Sequence, residues 1–340
     1  MVSTVRVKLE GKEEDLKLTV FSYQSLALVA GLVTSLCVPP ALAQNGPLTT
    51  IDVPDALSTV PYSVNNNGQV AGFFVDAAML AHGFLLDSGD FTTVDFPGSP
   101  FALATGLNDG GQIVGGYADS MGLTHGFLLD NGVYFSVDFP AAHETLPFRI
   151  NNRTQMVGIF ADVFGFQHGF LLGEGVRTVD YPGALQTVPR GVNDSAQIVG
   201  GYADSSQTAH GFLLDGLEYS TIDFPEARQT DIFAINNSGQ IVGVYQDQEL
   251  AVHAFLLADG SFSTIDLPDV IQTSPFGIND SAQIVGVYAV SEQESHGFLL
   301  AATALKSFAR GAVTGLRPRA SGASEMKEFL RNYRLSSLFQ

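Results

Sequence analysis

Residues 232–268 read IFAINNSGQIVGVYQDQELAVHAFLLADGSFSTIDLP, and the fold follows from what this stretch contains and how often it returns. Four short runs rich in Val, Ile, Phe, Tyr and Thr stand out, at 232–235, 240–245, 253–257 and 261–265. Such residues suit a pleated, half-buried surface. Asn236-Asn237-Ser238-Gly239 is a tight hairpin turn and Ala258-Asp259-Gly260 begins another, because Asn, Asp and Gly tolerate the left-handed backbone that such turns need. Helical periodicity is missing from the region.

Outward from this stretch the pattern recurs. The Asp of an ID(F/V)P-like segment lies at Asp52, Asp95, Asp138, Asp180, Asp223 and Asp266, at intervals of 43, 43, 42, 43 and 43 residues. The His of an HGFLL-like segment keeps the same register at His82, His125, His168, His210, His253 and His296. So does the first Asn of an IN(N/D)xGQIVG-like segment, at Asn65, Asn108, Asn151, Asn193, Asn236 and Asn279. Six repeats of four strands therefore occupy 49–300, and a unit of about 43 residues is the size of one propeller blade. A solenoid of short strands is the competing architecture.

The array begins with a lone outer strand at 49–53 and ends on a strand at 296–300. An all-β, six-bladed propeller of four-stranded blades, closed by pairing those two strands, removes both sheet edges that a linear stack would expose. Folding each 253–265-type hairpin about its turn sets the His opposite the Asp. The expected pairs are His82–Asp95, His125–Asp138, His168–Asp180, His210–Asp223 and His253–Asp266, with Asp52–His296 as the long-range sixth.

These motifs resemble the HAF-type extracellular repeat of bacteria: His253-Ala254-Phe255 carries the triplet, five copies read His-Gly-Phe, and 235–243 matches the Asn-Gln-Gly run. The resemblance covers about three quarters of the chain. It implies an exported, β-propeller protein and says little about activity. The repeat length is also that of WD-type propellers, but their Trp-Asp pair is missing and the chain contains no Trp.

The ends differ from the body. In 18–43 an apolar stretch is followed by Pro39-Pro40 and the small-x-small triplet Ala41-Leu42-Ala43, the form of a secretory signal with cleavage after Ala43. Its n-region is unusually long, and a single membrane anchor is the alternative reading. The lone Cys37 falls within the signal, so thiol catalysis and disulfides are not expected of the mature chain. The expected location is secreted or extracellular, or the cell envelope (periplasm). Residues 301–340, with seven basic and two acidic residues, form a basic tail in which 326–338 has the pattern of a short helix. The body at 44–300 holds five basic and 29 acidic residues, a net −24, which repels phosphate backbones and makes nucleic acid an unsuitable partner.

No catalytic signature is found: there is no Gly-x-Ser-x-Gly elbow, no His-Glu-x-x-His and no phosphate-cradling loop before a helix. Six His in identical register read as scaffold, and no metal site is assigned. Asp76, Asp119, Asp162, Asp204 and Asp247 recur in one loop, where calcium is an alternative but a turn-capping role is favoured because the alternating Asp pattern of a calcium loop is missing. No cofactor is expected. Departures from the repeat are the better guide to a site: Arg149 replaces Gly, Ala or Ser, Arg190 replaces an aromatic or Thr, and His143, Glu144, Gln186 and Arg228 mark divergent loop tips. Both long loops of each repeat fall on one face, the candidate binding surface. An exported, non-catalytic binding module for a glycan or an envelope or extracellular protein is the favoured function. A hydrolase or lyase acting on an extracellular polymer, with acid/base groups near His143 and Glu144, and a purely structural surface protein are the alternatives.

Overall fold

The structure, a computed structural model, describes residues 3–9, 12–18, 48–291 and 294–301. The expected cleavage site after Ala43 and the helix at 326–338 lie outside them. The stretch expected as the signal's n-region contains a hairpin, Ser3–Leu9 paired antiparallel with Lys12–Leu18. From Leu48 to Leu300 the chain forms six four-stranded antiparallel sheets arranged as the blades of a propeller. Among the described residues no helix is long and apolar enough to cross a membrane.

Blade 5 shows the plan. Gln229–Ile235 is the inner strand, followed outward by Ile241–Gln246, Val252–Ala258 and Ser261–Thr264. The outer strand then crosses to the inner strand of the next blade. Blade 6 takes its outer strand from the start of the chain: Leu48–Ile51 pairs with Ser295–Leu300 through Gly297↔Ile51 to Leu300↔Leu48. His296 Nδ1 lies 2.8 Å from Asp52 Oδ2, which matches the 2.6–3.0 Å of the five local His–Asp pairs. The ring is closed as the repeat arithmetic requires.

The motif residues also bind neighbouring blades together. The Phe of each FLL segment, such as Phe84 or Phe255, is fully buried between sheets. A Cβ on Gly72 of the second strand would strike Val60 O and come within 2.8 Å of the Phe84 ring, so glycine is required by close approach. The aromatic after the repeat Asp reaches the next blade, where Phe96 stacks on Tyr117 at 3.7 Å and Tyr117 stacks on His125 at 5.5 Å. Tyr181–Tyr202–His210 and Phe224–Tyr245–His253 repeat this arrangement.

At the inner hairpins two hydrogen-bonded rings encircle the axis. Each repeat Asn donates to the carbonyl of its counterpart one blade on, from Asn65→Asn108 round to Asn279→Asn65. The following residues alternate Asn66, Asp109, Asn152, Asp194, Asn237, Asp280. Each Asn amide donates to the carboxylates on both sides, and each Asp Oδ2 accepts from two Asn, so the donors and acceptors of this ring are matched.

Candidate functional site

All six inner strands carry a register shift at one place, for example between Pro189 and Gly191 or between Ile232 and Ala234. A bulge re-aims the extra side chain. Here the bulged residues are Tyr62, Thr105, Phe148, Arg190, Phe233 and Phe276. Tyr62, Phe276 and Phe233, from three successive blades, pack on one another about the axis at 5.1 and 5.3 Å. Aromatic side chains thus pack together on this part of the axis, and the pattern breaks where Thr105 and Arg190 take an aromatic's place.

The six residues singled out from the repeat pattern separate into three places. Arg149 leaves the loop face altogether. It reaches across the axis from blade 3 and donates from Nη1 to Tyr62 O at 3.1 Å and from Nη2 to Phe276 O at 2.7 Å, clamping blades 1 and 6 where the ring closes. Burial lowers its pKa to about 10, so it stays charged at neutral pH, and its Nε has no partner. It forms the floor of a polar funnel lined by the Asn and Asp rings on the face opposite the long loops.

His143 and Glu144 sit on the loop face at the seam between blades 2 and 3, but they part there. His143 is exposed, whereas Glu144 is buried and accepts a hydrogen bond from Thr124 N at 3.1 Å, leaving Oε2 with no partner. Burial raises the Glu144 pKa to about 7 against the weaker pull of Thr124.

Gln186, Arg190 and Arg228 converge at the seam between blades 4 and 5. Gln186 and Arg190 line a cleft with Gly201, Tyr202, Gln229, Asp231, Phe233, Tyr245 and Gln246, among others, with a volume of about 70 Å³. Arg228 is at the lip, its backbone N–H bonded to Gln246 O at 2.8 Å. Arg190 pairs with Asp231 and lies 5.0 Å over the Phe233 ring. Asp231 stands where other blades have Val60, Leu103, Leu146, Val188 or Ser274. Gly201 stands where others have Phe73, Gly116, Ile159, Val244 or Val287, and a Cβ there would strike Asp231 Oδ1 and come within 3.3 Å of Arg190 Nη1. Two coordinated departures, Arg190 and Asp231, replace apolar packing with an ion pair in a seam that Gly201 leaves open. Asp231 and Gly201 were not singled out from sequence. The signal for them existed in the alignment of the repeats, but it is meaningful only once blades 4 and 5 are neighbours.

The repeated acids of the long loops cap turns. Asp76 Oδ1 accepts from Ala78 N at 2.9 Å and Leu80 N at 2.8 Å, and these bonds, that to Leu80 first, hold its carboxyl below the usual range. The same Asp turns its other oxygen to the blade's own His, 3.4 Å from His82 Nε2 and 3.2 Å between Asp247 and His253. Each imidazole therefore lies between two carboxylates, with Glu294 as the second acid of blade 6. The Asp266 hydrogen bond raises the His253 pKa, outweighing burial. Beside these loops the face divides in character: Met79, Met121, Val163, Phe164 and Phe166 on blades 1–3 are exposed, while the matching loops of blades 4–6 are mostly polar or acidic.

No protein-family model matches the chain, and no curated protein does. Among solved structures it is similar to TolB from Acinetobacter baumannii, at 13% identity and a TM-score of 0.52, over 68% of this chain and 63% of that one. It is similar also to the β-propeller domain of the Trilobed protease from Pyrococcus furiosus, at 11% identity and a TM-score of 0.47, over 71% of this chain and 79% of that one. The fucose-specific lectin from Aleuria aurantia aligns at 12% identity and a TM-score of 0.46, over 71% of this chain and 91% of that one. At these identities the likeness is one of fold.

Proposed function

We propose that this protein is an exported, non-catalytic β-propeller of the HAF-repeat type that binds a glycan or an envelope or extracellular protein through its loop face. The observation that carries the reading is the gathering of Arg190 and Asp231, both departures from the repeat, with Gln186 and Gly201 into one cleft on that face. A scaffold repeated for packing alone has no use for a half-buried ion pair where, among the described residues, the other five seams manage without an Arg–carboxylate pair, since such a pair brings little net stability. The acid/base alternative has less support, because the Glu144 carboxylate is enclosed and neither it nor the exposed His143 lines the cleft. The test is a screen of the purified chain against glycans and isolated envelope components. Saturable binding that is lost in Gly201→Val supports the reading. Turnover of a bound polymer, or binding of nothing in the screen, would overturn it.

A further inference from the structure

Resting on that reading, we infer that the cleft between blades 4 and 5 takes a single uncharged sugar residue at the end or side branch of a glycan. Charge is the first constraint. Among the described residues, Arg190 and Asp231 are the only ionised groups lining the cleft, and they neutralise each other. An anionic ligand would also approach a body with five basic and 29 acidic residues against the field of the whole protein. A cation would have to take Asp231 from Arg190 and leave a guanidinium 8% exposed without its counter-charge, which is costly.

Hydrogen bonding is the second constraint. Gln186 is 7% exposed, and both its amide oxygen and its amide nitrogen lack a partner. Gln229 Oε1 is likewise buried and unpartnered. A buried polar atom left unmade costs about 1–3 kcal/mol, so these two side chains, which line the cleft but whose amide atoms are closed to solvent, gain by turning toward a ligand whose groups both donate and accept. Hydroxyls do this, whereas a carboxylate only accepts and an ammonium only donates. Shape supplies the third. Val188, Val244, Val252, Phe233 and Tyr245 give the cleft apolar walls between these polar groups. A pyranose ring matches such a lining, with its hydroxyls at the rim and C–H groups on its faces. The volume of about 70 Å³ corresponds to roughly five waters at the 10–15 Å³ that one water needs. It therefore admits part of one ring, with the remainder in solvent, and no second residue.

The experiment is saturation-transfer NMR on the full chain with methyl glycosides of neutral hexoses, set beside glucuronate, glucosamine and a neutral tetrapeptide. The expected result is saturable binding of at least one neutral glycoside and at least tenfold weaker binding of the charged sugars. Gly201→Val, which installs the residue found at this place in blade 6, should weaken binding tenfold or more by filling the cleft. Gln229→Leu is the second variant should Gly201→Val fail to fold, and Met121→Ser on the apolar half of the face should bind as the unaltered protein does. Preference for a charged sugar or the peptide, or unchanged binding in a folded Gly201→Val or Gln229→Leu protein, overturns the assignment. If no neutral glycoside binds while an envelope component still does, the sugar assignment fails and the binding-module reading stands. If neither binds, both fail.

Discussion

Glu144→Gln should stabilise the propeller by an amount that grows as pH rises from about 4.5 to about 7 and is largest above that. Glu144 is 5% exposed, accepts hydrogen bonds from Thr124 alone, and is lifted by burial from a pKa of 4.5 to about 7. A carboxyl whose folded pKa is raised binds more protons in the folded than in the unfolded state between those values. Its contribution to stability therefore falls as pH rises through that window and is fully unfavourable above it. A shift of roughly two and a half units at about 1.36 kcal/mol each makes the ionised side chain cost about 3 kcal/mol at pH 8 and nothing at pH 4. Gln keeps an oxygen for Thr124 N and carries no charge, and Gln186, Gln229 and Gln272 already occupy the equivalent place in blades 4–6. At about 2–4 °C per kcal/mol for a domain of this size, the melting temperature should rise by up to roughly 6–12 °C at pH 8. Some of that gain is offset by the amide nitrogen, which also lacks a partner there. Thermal unfolding followed by far-UV circular dichroism at pH 4.5 and pH 8 measures the difference. Equal shifts at the two pH values, or a loss of stability at pH 8, would refute the reasoning.

Asp52→Ala should destabilise the chain by about as much as Asp95→Ala, on the order of 1–3 kcal/mol for a charge-assisted bond in a half-buried pair; a negligible effect in urea titration would mean that strand Leu48–Ile51 does not hold the ring. Asn236→Ala removes a buried side chain that donates to Asn279 O and Gln240 Oε1 and accepts from Ser238 N and Gln240 N. It should cost at least about 2 kcal/mol, more than Asn66→Ala in the exposed ring, and the reverse order would show that the inner ring adds little to cohesion. Because the loop carboxylates already bond to backbone N–H groups and His, chelator should move the melting temperature by only a few degrees. A calcium-dependent rise matching the ~2.7 kcal/mol that a ligand supplies at a hundredfold excess over its dissociation constant would contradict the capping role.

The blade itself was legible in the residues. Alternating apolar runs, Asn-Gly and Asp-Gly turns and a fixed His-to-Asp spacing determine which residue opposes which within a hairpin. Partners such as His253 and Asp266 are 13 residues apart along one continuous segment, so local turn geometry suffices. Counting complete blades also made the Asp52–His296 closure readable, since one His and one Asp were left over at opposite ends. What passes between blades was not legible. The repeat displays Asn66 and Asp109 as interchangeable turn residues, and only the ring makes them alternate as donor and acceptor. Phe96 looks like the end of a strand until the crossover lays it on Tyr117 of the next blade. Arg149 and Arg190 are equal anomalies in the alignment, yet one spans the axis to Tyr62 O and Phe276 O while the other pairs with Asp231 in a cleft. The difference of one position along an inner strand decides this, because a bulge there turns successive side chains in different directions. Hairpin pairing depends on a period of two and a turn. Contacts across seams and across the axis depend on the twist of six sheets and the radius at which they close, quantities set by the packing of the whole ring.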